Sequence, residues 1–196
     1  MTKSLKAINI ILALLFTALY PFYSFAQNRV VVVPIGDSFA STGYFTVQPA
    51  DLRPADETQE YDIQIGANVN TLSGSSLTCP STESQGEFLA PVYLPHGVLV
   101  QTFHLHGFDN DAGDQMDGIL KKVCQSGNSA PLITELTPTL SSSGNPGYFE
   151  LMTNTINANE RVDNDICHYH IAIDLELSGC AGSLIAFNKA RVFWRR

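Results

Sequence analysis

The sequence predicts an all-β fold: an antiparallel β-sandwich, jelly-roll-like, forming a single domain after a signal peptide. Three observations predict it. Runs rich in β-branched and aromatic residues recur at roughly 10 to 17 residue intervals, with turn residues between them. No segment carries a sustained apolar stripe at helical spacing; the nearest, Ala55 to Tyr61, is at most one or two turns. An even number of cysteines, Cys79, Cys124, Cys167 and Cys180, follows an export-type leader.

The leader is residues 1–26. Lys3 and Lys6 give it a positive start, Ala7 to Leu19 is an apolar run, and Pro21 breaks that run. Ser24-Phe25-Ala26 places small residues where a signal peptidase reads. The apolar core holds about 13 residues, too few for a bilayer that needs roughly 20. The expected product is an exported domain of residues 27–196, periplasmic or extracellular, with no transmembrane segment. The leader carries two cations and no acids, so its removal takes the formal charge from -8 to -10. An acidic domain does not seek phosphate backbones, which makes nucleic acid a poor partner.

Residues 27–86 read as an irregular, loop-rich first part. Within it Arg29 to Ile35 is a β-branched strand that Pro34 places near an edge or end. Shorter candidates lie at Tyr61 to Ile65 and Val69 to Leu72. The second half is clearer. Glu87 to Leu94 and Val98 to Phe108 are two strands joined at Pro95-His96-Gly97. Met116 to Cys124, Leu132 to Leu140, Tyr148 to Ile156, Ile166 to Leu177 and Ser183 to Trp194 complete the set. On Ile166 to Leu177, Tyr169, Ile171, Ile173 and Leu175 share one face, while His168, His170, Ala172 and Asp174 share the other. Alternation of this kind marks a half-buried strand, so His168 and His170 should face outward.

The same strand constrains the disulfides. Cys167 begins it and Cys180 follows its end, roughly 30 Å away at about 3.3 Å per residue. A bridge needs Cα atoms within about 7 Å, so Cys167 cannot pair with Cys180. Of the two pairings left, Cys79–Cys180 with Cys124–Cys167 is preferred. Cys124 ends one strand and Cys167 begins another, which puts both at one edge of the sandwich.

The stretch Phe88-Leu-Ala-Pro-Val-Tyr-Leu-Pro-His-Gly97, the long strand ending in Asp109-Asn110-Asp111, and the earlier Leu52-Arg-Pro-Ala-Asp56 resemble a group of exported bacterial β-sandwich proteins of unassigned function. In that group an LAPVxLPxGA turn-strand precedes a DN turn. Val98 stands here where the pattern has Ala. The resemblance spans residues 30–194 and implies a β-sandwich with no activity attached.

Three constellations bear on chemistry. Gly36-Asp37-Ser38 after a β-branched strand looks like the first block of the SGNH or GDSL esterases, and Asp165-Ile-Cys-His168 supplies their DxxH block. Ser38 would be the nucleophile, His168 its base and Asp165 the residue that orients the imidazole. That fold is α/β, however, the chain shows no helices for it, and the GxND oxyanion block is missing. Two His-x-His pairs, His104/His106 and His168/His170, each put two imidazoles on one strand face. Gly97, His104, His106, Asp111 and Gly118 loosely fit a first cupin block, with one residue too many and no second block. The acidic loop Asp109, Asn110, Asp111, Asp114 and Asp117 lacks the Gly and Glu of an EF-hand and reads as Asx-type turns. Asp163-Asn164-Asp165 reads the same way.

The expectation is a secreted, non-catalytic β-sandwich: a structural, adhesive or binding module of the envelope or extracellular space. Surface or matrix components, or a second copy, would be its partners. No catalytic residue, cofactor or metal ligand is assigned. The alternatives are an SGNH-type esterase using Ser38, Asp165 and His168, and a cupin-like metal-binding protein using His104 and His106.

Overall fold

The structure, a computed structural model, describes residues 41–65, 75–81, 86–142, 146–157, 161–175 and 180–196 of the chain. All of these belong to one unit, Ala40–Arg196. The expected strands at Arg29 to Ile35 and Val69 to Leu72, the signal peptide and Ser38 lie outside the described residues.

Twelve strands are described: β1 Thr42–Val47, β2 Arg53–Pro54, β3 Asp62–Ile65, β4 Ser75–Cys79, β5 Glu87–Val92, β6 Leu99–Asp109, β7 Asp117–Cys124, β8 Leu132–Glu135, β9 Leu140–Ser141, β10 Gly147–Thr153, β11 Cys167–Asp174 and β12 Gly182–Arg195. The one helical piece among the described residues is a 3-10 turn, Pro49–Asp51. None of the described helices is long and apolar enough to cross a membrane.

The strands make two antiparallel sheets. The first runs β10-β6-β12-β4-β3, with β1 pairing the far half of β12. The second runs β2-β5-β11-β7-β8, with β9 also on β7. Each sheet turns one face inward by alternation along its strands, interrupted in β12 by register shifts. Phe103, Leu105, Phe187, Ile185 and Val192 come from the first sheet; Phe88, Ala90, Leu120, Ile171 and Ile173 come from the second. All ten are buried and form one apolar core. The fold class is therefore the expected antiparallel β-sandwich.

Close packing around β6 within the first sheet is set by glycine. A Cβ on Gly107 of β6 would stand 2.8 Å from the Ala186 carbonyl oxygen and 2.7 Å from the Phe149 ring. The backbone of β12 could not retreat from it without breaking the ladder to β6.

Where β6 ends, a buried polar knot replaces apolar packing. Asp109 is 1% exposed. Its carboxylate accepts from the Ser142 hydroxyl at 2.5 Å and the Asp111 amide at 3.0 Å. The Ser142 hydroxyl accepts in turn from the Met116 amide at 2.7 Å. Asp111 takes the amides of Gly113 and Asp114. Asp111 and one oxygen of Asp109 thus serve the loop's own backbone, as in Asx-type turns.

Two differences from the sequence reading have physical causes. Residues 27–86 hold more regular structure than expected: β1 and β4 lie there, read as loop because Gly, Ser and Thr dominate the composition around them. Leu132 to Leu140 is not one strand. Pro138 has no N–H for a ladder, and the Thr137 hydroxyl accepts the Leu120 amide at 3.2 Å in place of a strand carbonyl. Ala55 to Tyr61, which carries no sustained helical stripe, forms a tight turn in which the Asp56 carboxylate captures the Thr58 amide and hydroxyl.

Both disulfides are present, as Cys79–Cys180 and Cys124–Cys167. Cys124 and Cys167 are direct register partners across β7 and β11, with Cα atoms 4.0 Å apart.

Candidate functional site

The outward faces of the two sheets differ in chemistry. On the second sheet, β5 presents Leu89 and Pro91 outward, and Tyr93 follows just past its end. β11 lies beside it in antiparallel register, with His170 opposite Pro91 and Ala172 opposite Leu89. His168 and His170 face outward, as their alternation with the buried Tyr169 and Ile171 requires. Arg53 of β2 pairs with Leu89. Asn164, in the turn before β11, donates its side-chain amide to the Leu94 carbonyl at 2.8 Å. These residues enclose an open groove of about 750 Å³. Tyr93 stands at its rim, 70% exposed.

Burial pushes the His170 pKa below the ordinary imidazole value. The Lys121 cation and His168 push the same way, and Glu87 opposes them weakly. His170 is therefore a neutral imidazole at neutral pH, able to donate from one nitrogen and accept at the other. Among the described residues lining the groove none is Asp or Glu.

On the first sheet, β6 turns His104, His106 and Phe108 outward while Phe103 and Leu105 go to the core. The β10 register sets Glu150 directly opposite His106. Glu150 Oε1 lies 3.2 Å from His104 Nδ1 and 3.6 Å from His106 Nε2. On the other flank, Lys189 and Arg191 of β12 stand opposite His106 and His104. The His104 ring packs on Phe193 at 4.8 Å, and Arg191 lies over the Tyr44 ring. Burial lowers the His106 pKa most; Glu150 opposes that, while Lys189, Arg191 and His104 add to it. Glu150 is held below the usual carboxylate range by the His104 hydrogen bond and then by His106.

The esterase constellation does not find its fold. Asp165 is exposed in the turn before β11, and His168 is exposed on an antiparallel strand rather than on a loop above a parallel sheet. Ser38 lies outside the described residues. The cupin-like expectation fails on direction: His104 and His106 are on the outer face of their sheet, not inside the sandwich. Sequence reading missed Glu150 entirely, and it missed Arg53, Tyr93 and Asn164 as a group. Only the exposed tyrosine after a proline-bearing strand was a local signal.

No protein-family profile and no curated protein matches the chain. Solved structures do. The CBM22-2 xylan-binding domain of Paenibacillus barcinonensis Xyn10C is 16% identical with a TM-score of 0.43, over 78% of this chain and 99% of that one. The CBM22-1-GH10 modules of Clostridium thermocellum Xyn10B, complexed with xylohexaose, are 13% identical with a TM-score of 0.46, over 76% of this chain and 27% of that one. The C-terminal family 22 carbohydrate binding module of the same Clostridium thermocellum protein is 12% identical with a TM-score of 0.40, over 81% and 88%.

Proposed function

We propose that the chain is an exported, non-catalytic binding module that holds a segment of a neutral polysaccharide in the groove over β5 and β11. The groove is the observation that carries this reading. A sugar ring offers an apolar C–H face and a rim of hydroxyls. It needs a flat apolar surface beneath it and mixed donors and acceptors at its edges. Leu89, Pro91 and the exposed Tyr93 ring supply the first. His168, neutral His170, Asn164 and Arg53 supply the second.

Charge and chemistry narrow the class further. A chain of formal charge -8 repels polyanions, which favours an uncharged glycan. Glycoside hydrolysis uses two carboxylates about 5 to 10 Å apart, and a groove without carboxylates points to binding. Two disulfides fit an oxidising compartment, where surface and matrix glycans are found.

Native gel electrophoresis through gels containing xylan, mannan or a neutral β-glucan tests the reading. At least one polysaccharide should retard the wild-type chain. Tyr93→Ala and His168→Ala should each weaken that retardation about tenfold, a loss of roughly 1.4 kcal/mol. Failure of all three to retard the wild type, or equal retardation of wild type and both variants, would overturn the proposal.

A further inference from the structure

The outer face of the first sheet carries a second assembly that the groove does not use. His104 and His106 are two residues apart on β6 and share a face by strand periodicity. Glu150 enters from β10 by register and aims one oxygen at both imidazoles. His104 Nδ1, His106 Nε2 and the Glu150 carboxylate oxygen all lie within 4.8 Å of one another. His106 Nε2 is buried from solvent, points at that oxygen from 3.6 Å and has no hydrogen-bond partner. An orphaned buried nitrogen costs stability unless something takes its lone pair or proton.

We propose that His104, His106 and Glu150 form a site for one divalent transition metal of the zinc class, bound to this outer face.

The spacing fits the chemistry. Ligand atoms about 2.1 Å from a tetrahedral zinc lie about 3.4 Å from each other. Two of the three separations, 3.2 and 3.6 Å, bracket that edge. With the third no longer than 4.8 Å, an ion equidistant from all three in their plane lies at most about 2.4 Å from each. Side-chain rotations of a few tenths of an ångström close the remainder. Imidazole and carboxylate are the donors this class of ion takes, and three protein ligands leave a fourth position open to solvent. Phe193 packs on the His104 ring and fixes its plane. Lys189 and Arg191 stand opposite His106 and His104 on β12, and their charge opposes a dication. The expected affinity is therefore that of an exchangeable site rather than a structural one. The alternative is a plain histidine–glutamate hydrogen bond that binds no metal.

The test uses the full chain without a polyhistidine tag, stripped with a chelator and titrated with zinc chloride by calorimetry. One equivalent should bind. Glu150→Gln should weaken binding at least tenfold, and His104→Ala/His106→Ala should abolish it. His168→Ala/His170→Ala should leave it unchanged. Two-dimensional NMR of the histidine rings in the wild type gives a readout independent of variant folding: zinc should shift the His104 and His106 signals and spare His96, His168 and His170. No stoichiometric uptake, uptake that survives loss of His104 and His106, or shifts centred on other histidines would each overturn the proposal. Because the site and the groove lie on different sheets, polysaccharide retardation can fail while zinc binds, and the reverse.

Discussion

Replacing Cys124 and Cys167 by alanine together opens a loop of 43 residues in the unfolded chain. The chain-entropy relation assigns such a loop about 4 kcal/mol. The Cys79–Cys180 bridge spans 101 residues and encloses the other. Alone it is worth about 4.7 kcal/mol; with the inner bridge closed, its effective loop falls to about 58 residues and its worth to about 4.2. The two bridges are therefore coupled in the unfolded chain by about 0.5 kcal/mol, although they clamp different sheets. For a domain of this size each kcal/mol moves the melting temperature about 2 to 4 °C, so with the other bridge intact removing the inner bridge (about 3.5 kcal/mol) should lower it by about 7 to 14 °C and removing the outer one (about 4.2 kcal/mol) by about 8 to 17 °C. Circular-dichroism melts and urea titrations of wild type, each double-alanine variant and the cysteine-free chain give the full cycle. A drop below about 2 °C for the inner-bridge variant would refute the reasoning, since the unfolded chain would then not feel the cross-link.

Gly107→Ala should destabilise the fold by about 1 to 3 kcal/mol, because the added methyl meets the Ala186 carbonyl, which the β6–β12 ladder holds in place. An unchanged urea midpoint would show that the ladder yields. His170 gives a pH dependence of definite sign. Its folded pKa is lowered by burial, so the unfolded chain takes up the proton more readily. Its contribution is complete above the unfolded value near 6.5 and is lost as pH falls through the folded value. Stability measured in urea between pH 7 and 5 should fall less steeply in His170→Gln than in wild type; equal slopes would contradict the burial of that ring.

Much of the sandwich was legible because strand alternation is a local property. Tyr169, Ile171 and Ile173 point one way and His168 and His170 the other whatever the neighbours are, so one sequence segment fixes both faces. The length of that strand also excluded a Cys167–Cys180 bridge, leaving two pairings between which its edge position chose. β1 and β4 were harder. Their Gly, Ser and Thr content is that of a loop, and they become strands because β12 offers each a ladder along one edge.

The two candidate sites lie on the other side of that divide. His104 and His106 were visible as a pair, but Glu150 is 44 residues beyond His106 and joins them only through the β10–β6 register. The groove likewise takes Arg53, Tyr93, Asn164 and His170 from separated segments that the sheet order β2-β5-β11 brings side by side. On the strands it marked, such as Ile166 to Leu177, the sequence by itself determined that Tyr169, Ile171 and Ile173 face inward, since that depends on the two-residue period of a strand. Which outward residues meet was decided only in the tertiary structure, because strand pairing and register are set by the packing of the whole core.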